Sequence, residues 1–404
     1  MTAARDAENT MNRALLLNTG RLHRDRFGSA PQVTAYAPGR VEVLGNHTDY
    51  NEGYVLSAAI DCGVCFAAAR ATNATCRVVR ADTGQENTFD AAAPERSEQA
   101  PWTNYIRGVA AGLSERHPLD AGFSAVVAAD LPIGAGLSSS AALEVSCALA
   151  LCELYGITLG TLELARLCQE AEHEYAGMKC GLLDQISSLC GEEDGLILTD
   201  FRSLEVQTVR LGSDACFLVC DTKAKHSLVD SEYNERRASC EQAAAFFAER
   251  LPHPVSALRD VSSAEWDALA PELDPVAARR AAHVIGENER VCAGRCLLQE
   301  GNWAAFGALM FESHESSREN FENSCPELDV VVETARELPA VVGARLSGGG
   351  FGGSAILLVR AQQAEAVGKQ IRERYETRCG HPCDVLEIHP AAGARLVADG
   401  AANR

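Results

Sequence analysis

The sequence predicts an α+β protein built from two domains. Three observations carry that expectation. The chain has 404 residues, more than one core usually organises when domains run to roughly 100–200 residues. Strand-like and helical segments alternate up to about Asp221, and helices dominate beyond it. The helical second half is broken by one segment of strand, glycine-rich loop and strand, "ARLSGGGFGGSAILLV" (Ala344–Val359).

Each element rests on its own pattern. "VTAYAPGRVEVLG" and "FSAVVAAD" read as strands, and "SSSAALEVSCALALCELYG" and "LELARLCQEAEHEYAG" as helices. The turns "SLCGEEDG" and "VRLGSDAC" bound two further strands, "LILTD" and "CFLVCDT". Helices are expected at 231–251, 275–300, 302–318, 326–338 and 361–378. No Pro/Gly/Ser linker marks the junction, which falls near 200–215. The expected division is an N-terminal extension 1–20, a first domain 21–210 and a second domain 211–404.

Composition narrows the function. Lys and Arg number 36 against 56 Asp and Glu, a formal net charge of −20. Such a surface repels nucleic acid and anionic membrane, so neither is an expected partner. A phosphate-bearing ligand must then be held by a local device that works against the global field. The first twenty residues lack the apolar core of a signal peptide, and no segment reaches membrane-spanning length, so the chain reads as cytoplasmic. The 16 cysteines then read as small buried hydrophobes rather than disulfide partners. Cys62 and Cys65 form the one CxxC, on a strand where they face opposite ways. "CGHPC" (Cys379–Cys383) has no second cluster to complete a zinc site.

"LPIGAGLSSSAALEVS" (Leu131–Ser146) suits the local device. Gly134 and Gly136 permit conformations closed to other residues and bare the main chain to a ligand. The helix starting near Ser138 or Ser139 adds unpaired N–H groups and the positive end of its dipole. Serine hydroxyls can bond phosphate oxygens or complete a magnesium shell. An ordinary N-cap needs only one serine, and no Walker lysine follows. "APGRVEVLGNHTDYNEGYVLSAAI" (Ala37–Ile60) crowds Arg40, His47, Asp49, Tyr50 and Asn51 into a turn between strands, a density suited to a many-hydroxyl ligand. "GLLDQISSLCG" sets Asp184 at a helix start among apolar neighbours, where a capping role is the ordinary alternative. "GGGFGG" (Gly348–Gly353) holds more glycine than a hairpin turn needs.

Taken together, these stretches resemble the galactokinase branch of the GHMP kinase family. "APGRVEVLGNHTDYNEG", "LPIGAGLSSSAALEVS" and "RLSGGGFGGSAILLV" match its three motifs in order. "WTNYIRGV", "AEHEYAGMKCGLLDQ", "SEYNERR" and "SCPELD" match the branch. The resemblance implies an N-terminal α+β domain with a left-handed βαβ unit, a ferredoxin-like C-terminal domain and a site in the cleft between them. It implies ATP-dependent phosphorylation of a sugar's anomeric hydroxyl, with Mg2+ as cofactor and a sugar and ATP as the partners; a monomer is expected, an oligomer being left open. By motif, Ser138 and Ser139 would cradle the phosphates, with Gly134 and Gly136 giving main-chain access and Trp102 lying against adenine. Ser140 and Glu172 would serve the magnesium shell. Asp184 corresponds to the catalytic carboxylate and Arg40 to its partner, and His47, Asp49, Gly181 and Tyr233 would contact sugar hydroxyls. A guanidinium beside Asp184 would keep it ionised to accept the sugar's proton and would stabilise charge on the transferring phosphoryl group. Phosphoryl transfer being chiefly positioning, Asp184 is either a base or an electrostatic anchor.

The chain departs from the branch at two positions. Glu42 stands where Asn is usual, and Asn46 where the sugar-binding Glu is usual. Either the two have exchanged a carboxylate within one network, or Asn46 alters specificity at C6 and admits galacturonate or a 6-deoxy sugar. Losing one charge-assisted hydrogen bond costs about 1.5–3 kcal/mol. Some galactokinase-like proteins are non-catalytic sugar sensors, which would carry damage in the serine loop or the carboxylate. Here Arg40, Ser138, Ser139, Ser140 and Asp184 are all present, which favours an enzyme acting on galactose.

Overall fold

The computed structural model describes residues 2–132, 134–224 and 229–397. It opens with a long helix, α1 (Thr2–Phe27), that runs without a break past the end of the expected extension. β1 (Val33–Leu44), β2 (Tyr54–Arg70), β3 (Thr75–Arg80) and β4 (Glu86–Asp90) follow, then α2 (Asn104–Arg116) and β5 (Phe123–Ala129). Next come α3 (Ser139–Tyr155), α4 (Thr161–Ala171), α5 (Leu183–Cys190), β6 (Gly195–Asp200) and β7 (Glu205–Arg210).

These seven strands, with one short strand from the end of the chain, form one eight-stranded sheet. β2 is its spine: most of it, from Leu56 to Ala68, pairs with β1, its C-terminal half with β5 and its first residues with β6. β3 and β5 pair in parallel, joined through β4 and α2. α3 is buried along most of its length against β1 and β2, because its sequence is apolar nearly all round. Gly156, at positive φ, ends it.

The chain leaves this sheet between Arg210 and Ala215. β8 (Ala215–Asp221) begins a second sheet, followed by α6 (Val229–Arg250), α7 (Ser263–Leu269), α8 (Pro275–Gln299), α9 (Trp303–Ser316) and α10 (Pro326–Arg336). β9 (Val341–Ser347), β10 (Ser354–Arg360), α11 (Ala364–Cys379) and β11 (Asp384–Ile388) complete it. The strand order β11-β8-β10-β9, all antiparallel, is the ferredoxin-like arrangement. A short last strand, β12 (Arg395–Leu396), returns to the edge of the first sheet beside β1. The helix boundaries follow local signals: Asp274 caps α8 by accepting from the amides of Val276 and Ala277, with Pro275 in the first turn.

Each sheet has its own apolar core, and a third cluster packs α6 against α8. All 16 cysteines are free and most are buried. Cys62 and Cys65 fall in separate clusters on the two faces of β2, as alternation requires. Among the described residues no helix is long and apolar enough to cross a membrane.

Candidate active site

A cavity of about 660 Å³ opens where β1, the loop into α3, the segment 177–184 and the glycine run 348–353 converge. Arg40 and Glu42 stand two residues apart on β1, so both leave the same face of the strand. Register shifts in the β1–β2 pairing between Pro38 and Arg40 and between Glu42 and Leu44 bracket them, and a bulge of this kind re-aims a side chain.

Arg40 donates through Nε to Oδ1 of Asp184 at 2.7 Å and through Nη1 to the carbonyl of Gly136 at 2.8 Å. The hydroxyl of Ser138 donates to the other oxygen of the same carboxylate. Asp184 is therefore gripped at both oxygens, yet its side chain keeps 22% exposure and reaches the cavity. It lies in the first turn of α5 rather than capping it. Ser138, at φ +56°, makes no capping bond to α3, so the helix start is not an ordinary serine cap. Ser138 lines the cavity where phosphate is expected, and its hydroxyl bonds to Asp184. Ser139 and Ser140 begin α3 at the cavity wall. Gly134 and Gly136 adopt φ of +81° and +70°. A Cβ at Gly134 would meet nothing within 4 Å, so conformation and bare main chain, not crowding, call for glycine.

The glycine run is pinned to this floor. Ser354 donates to the carbonyl of Ala135 at 2.7 Å, and the amide of Glu42 donates to Ser347 Oγ at 2.9 Å. Asn323 Nδ2 donates both to Gly349 O and to Asn46 Oδ1.

Asn46 is 1% exposed, and its amide is saturated by protein. Nδ2 donates to Glu42 Oε1 at 2.9 Å and to Gly348 O at 2.8 Å; Oδ1 accepts from Asn323 and Ser317. Glu42 Oε1 also accepts from Arg345 on β9 at 2.9 Å, and Glu42 lines the cavity. The two departures from the family pattern thus lie in one hydrogen-bonded network, with the carboxylate at residue 42. Burial pushes the Glu42 carboxyl up, and Arg345 draws it down.

His47 is committed in the same way. Nε2 lies 3.0 Å from the carbonyl of Gly349, which can only accept, so Nε2 carries the proton and Nδ1 accepts from Tyr50 Oη at 2.8 Å. Burial lowers it to about 4. Its ring packs on Phe321 and Tyr233. His47 lines the cavity with both ring nitrogens already bonded to protein, to Tyr50 and to Gly349. Tyr233 lines the cavity, as do Asp49 and Gly181. A Cβ on Gly181 would sit 1.8 Å from Asp49 Oδ2. Burial, then the charges of Glu42 and Asp184, push Asp49 up to about 7, against the amide of Tyr50 and the charge of Arg237.

Glu172 opens a widened turn, Glu172–Ala176, at the end of α4; such turns recur at functional sites. It is 3% exposed, and its Oε2 accepts from Gln185 Nε2 at 3.0 Å and Cys180 Sγ at 3.2 Å. Burial and the charge of Asp184 push the Glu172 carboxyl up, and the hydroxyl of Ser140 is among the groups that draw it down. These hard oxygen donors suit magnesium. Among the described residues no group of three His, Cys, Asp or Glu is arranged to hold a metal alone, in keeping with an ion held by one or two protein oxygens plus substrate phosphates. Of the expected residues Glu172 and Trp102 do not line the cavity: Glu172 lies buried just behind Ser140, and Trp102 stands apart. Trp102 packs half-buried against the N-terminal core in the turn that starts α2, its Nε1 lacking a partner.

Several residues escaped the sequence reading. Glu287 on α8 accepts from the amides of Gly45 and Asn46 at 2.8 and 2.9 Å and so holds the turn before His47. Arg345, 0% exposed, carried one faint signal: a lone charge in the apolar run "VVGARLS". Asn323, Glu144 and Gln185 gave none.

Comparison with known proteins agrees with this architecture. Residues 104–192 match the GHMP kinases N terminal domain, 296–377 the GHMP kinases C terminal domain, and 21–70 the galactokinase galactose-binding signature. The galactokinase of Roseiflexus sp. (strain RS-1) is 39% identical over 96% of this chain and 99% of its own. That of Pasteurella multocida (strain Pm70) is 38% identical over 89% and 94%. The crystal structure of Lactococcus lactis galactokinase complexed with galactose matches with a TM-score of 0.88 at 31% identity, covering 93% of this chain and 98% of that one. Identity at this level across nearly the whole length, on the same fold, makes the chain a member of the GHMP kinase family, in its galactokinase branch.

Proposed function

We propose that the protein transfers the terminal phosphoryl group of ATP to the anomeric hydroxyl of galactose, giving galactose 1-phosphate and ADP. The observation that carries this reading is Asp184, fixed by Arg40 and Ser138 with its carboxylate edge open to the cavity. The C1 oxygen lies against Asp184, which takes its proton as a lone pair of that oxygen forms the new bond to phosphorus. The bond from phosphorus to the β,γ-bridging oxygen breaks, and ADP leaves. Because little covalent help is needed, most of the rate comes from alignment and charge neutralisation.

The main chain at Gly134 and Gly136 and the first amides of α3 hold the phosphates, with Ser139 beside them. Arg40, between Asp184 and Gly136 O, is placed to stabilise charge on the group in flight. Ser140 and Glu172 would hold magnesium, which would supply charge neutralisation to the nucleotide's phosphates. At the sugar end Glu42, Asp49, Tyr233 and the main chain at Gly181 receive the remaining hydroxyls. The buried carboxylate of Glu42 favours a hydroxyl donor and repels a uronic acid, which speaks for galactose over galacturonate. The test is a screen of free monosaccharides, galacturonate included, with ATP and magnesium, the phosphate position being read by NMR. Faster turnover of galacturonate, or phosphate on any oxygen but that of C1, overturns the reading.

A further inference from the structure

Behind the cavity two acids lie out of reach of water: Glu172 at 3% exposure and Glu144 at 0%. Glu144 sits on α3 one turn beyond Ser140. Gln185, also 0% exposed, follows Asp184 on α5. A single amide group joins the acids: Gln185 Nε2 donates to Glu172 Oε2 at 3.0 Å and to Glu144 Oε2 at 3.2 Å. Both of its hydrogens are thereby used.

Two oxygens are left over. Glu144 Oε1 and Gln185 Oε1 are buried and have no hydrogen-bond partner. While Glu144 is ionised both are acceptors, and neither can serve the other. An unmatched buried acceptor is costly, and an ionised carboxylate without full compensation more so. One proton on Glu144 Oε1 removes both faults together. The acid O–H becomes the donor that the Gln185 carbonyl lacks, while the acid's other oxygen already accepts from the same amide. A carboxylic acid and a primary amide can close a ring of two hydrogen bonds in this way, of which the amide-to-acid bond is already present.

We propose that Glu144 is a positioning residue, a neutral carboxylic acid paired with the Gln185 amide, which by that pairing aims its remaining N–H at Glu172 and decides which oxygen of Glu172 faces the metal. Burial, with the charges of Glu172 and Asp184, pushes the Glu144 carboxyl well up, opposed only by the bond from Gln185. The ring also ties the helix that bears Ser140 to the helix that bears Asp184. The inference rests on the reading of Ser140 and Glu172 as magnesium donors, and its tests separate the two.

Glu144→Gln presents one donor and one acceptor to Gln185, as the neutral acid does. Manganese-dependent nucleotide binding by the intact protein, followed by calorimetry or electron paramagnetic resonance, is expected to stay within about twofold of the parent. Glu144→Leu keeps the bulk but frees the amide, and should weaken that binding about tenfold or more while galactose affinity holds. In the infrared the parent should show a protonated-carboxyl C=O band at neutral pH, shifted by deuterium exchange and missing from Glu144→Gln. A Gln variant as damaged as the Leu variant would mean that charge at residue 144 matters, and overturns the proposal. So does a harmless Leu variant, or absence of the band. If the Leu variant does not fold, the Gln variant and the band decide. Manganese affinity surviving in Glu172→Ala, with the band present, would fault the metal assignment and leave the ring standing.

Discussion

Exchanging Glu42 and Asn46 tests whether they form one unit. Asn46 Nδ2 lies 2.9 Å from Glu42 Oε1, which also accepts from Arg345 at 2.9 Å. Glu42→Asn would strand the Arg345 guanidinium, 0% exposed and with Nε and Nη2 already lacking partners. Removing one member of a buried pair costs about 3–5 kcal/mol. Asn46→Glu would instead set a second carboxylate against the first. At about 4 Å and an effective dielectric of about 20 that repulsion is about 4 kcal/mol. The double variant holds one carboxylate and one amide again, and Arg345 regains a partner. It should lie within about 1.5 kcal/mol of the parent, so the loss falls at least about 3 kcal/mol short of the sum of the single losses. Urea unfolding of the four proteins measures this, and the galactose KM of each shows whether the cavity is restored with the fold. Additive losses, or a Glu42→Asn protein as stable as the parent, would refute the reasoning.

Three further outcomes follow from the site. Asp184→Asn is expected to abolish turnover while leaving galactose affinity, measured by calorimetry, within about tenfold; near-normal turnover would remove Asp184 from its role. Asp49, raised to about 7, must be ionised to accept sugar hydroxyls, so galactose KM should fall as pH rises through about 7, and the limb should vanish in Asp49→Asn. His47, lowered to about 4, cannot supply that limb. The same raised carboxyl adds stability that is full below the ordinary aspartate value and lost as pH climbs through about 7, so Asp49→Asn should flatten the Tm profile there. Gly181→Ala places a Cβ 1.8 Å from Asp49 Oδ2. Displacement of that carboxylate should raise galactose KM about tenfold with a smaller change in kcat, and an unchanged KM would mean that Asp49 does not hold the sugar.

What could be read from the sequence was what local chemistry encodes. The helix expected at 275–300 is α8, Pro275–Gln299, because Asp274 and Pro275 state its start. Asp184 was legible as a helix-start carboxylate and Arg40 as its motif partner, and the fold brings them to 2.7 Å. The unread residues depend on partners far along the chain. Glu144 meets Gln185 across 41 positions, Asn46 meets Asn323 across 277 and Glu42 meets Arg345 across 303. No periodicity or capping rule reports such pairs, since a buried polar residue looks in sequence like any polar residue until its partner is known. Glu42 and Asn46 make the point most sharply. In sequence they are two departures from a motif, and each alone suggests a changed sugar. In the structure Arg345 and the glycine run at 348–349 surround both, and the carboxylate at residue 42 and the amide at residue 46 bond to each other within one network. Because the two side chains share one network, a substrate change cannot be argued from either residue singly.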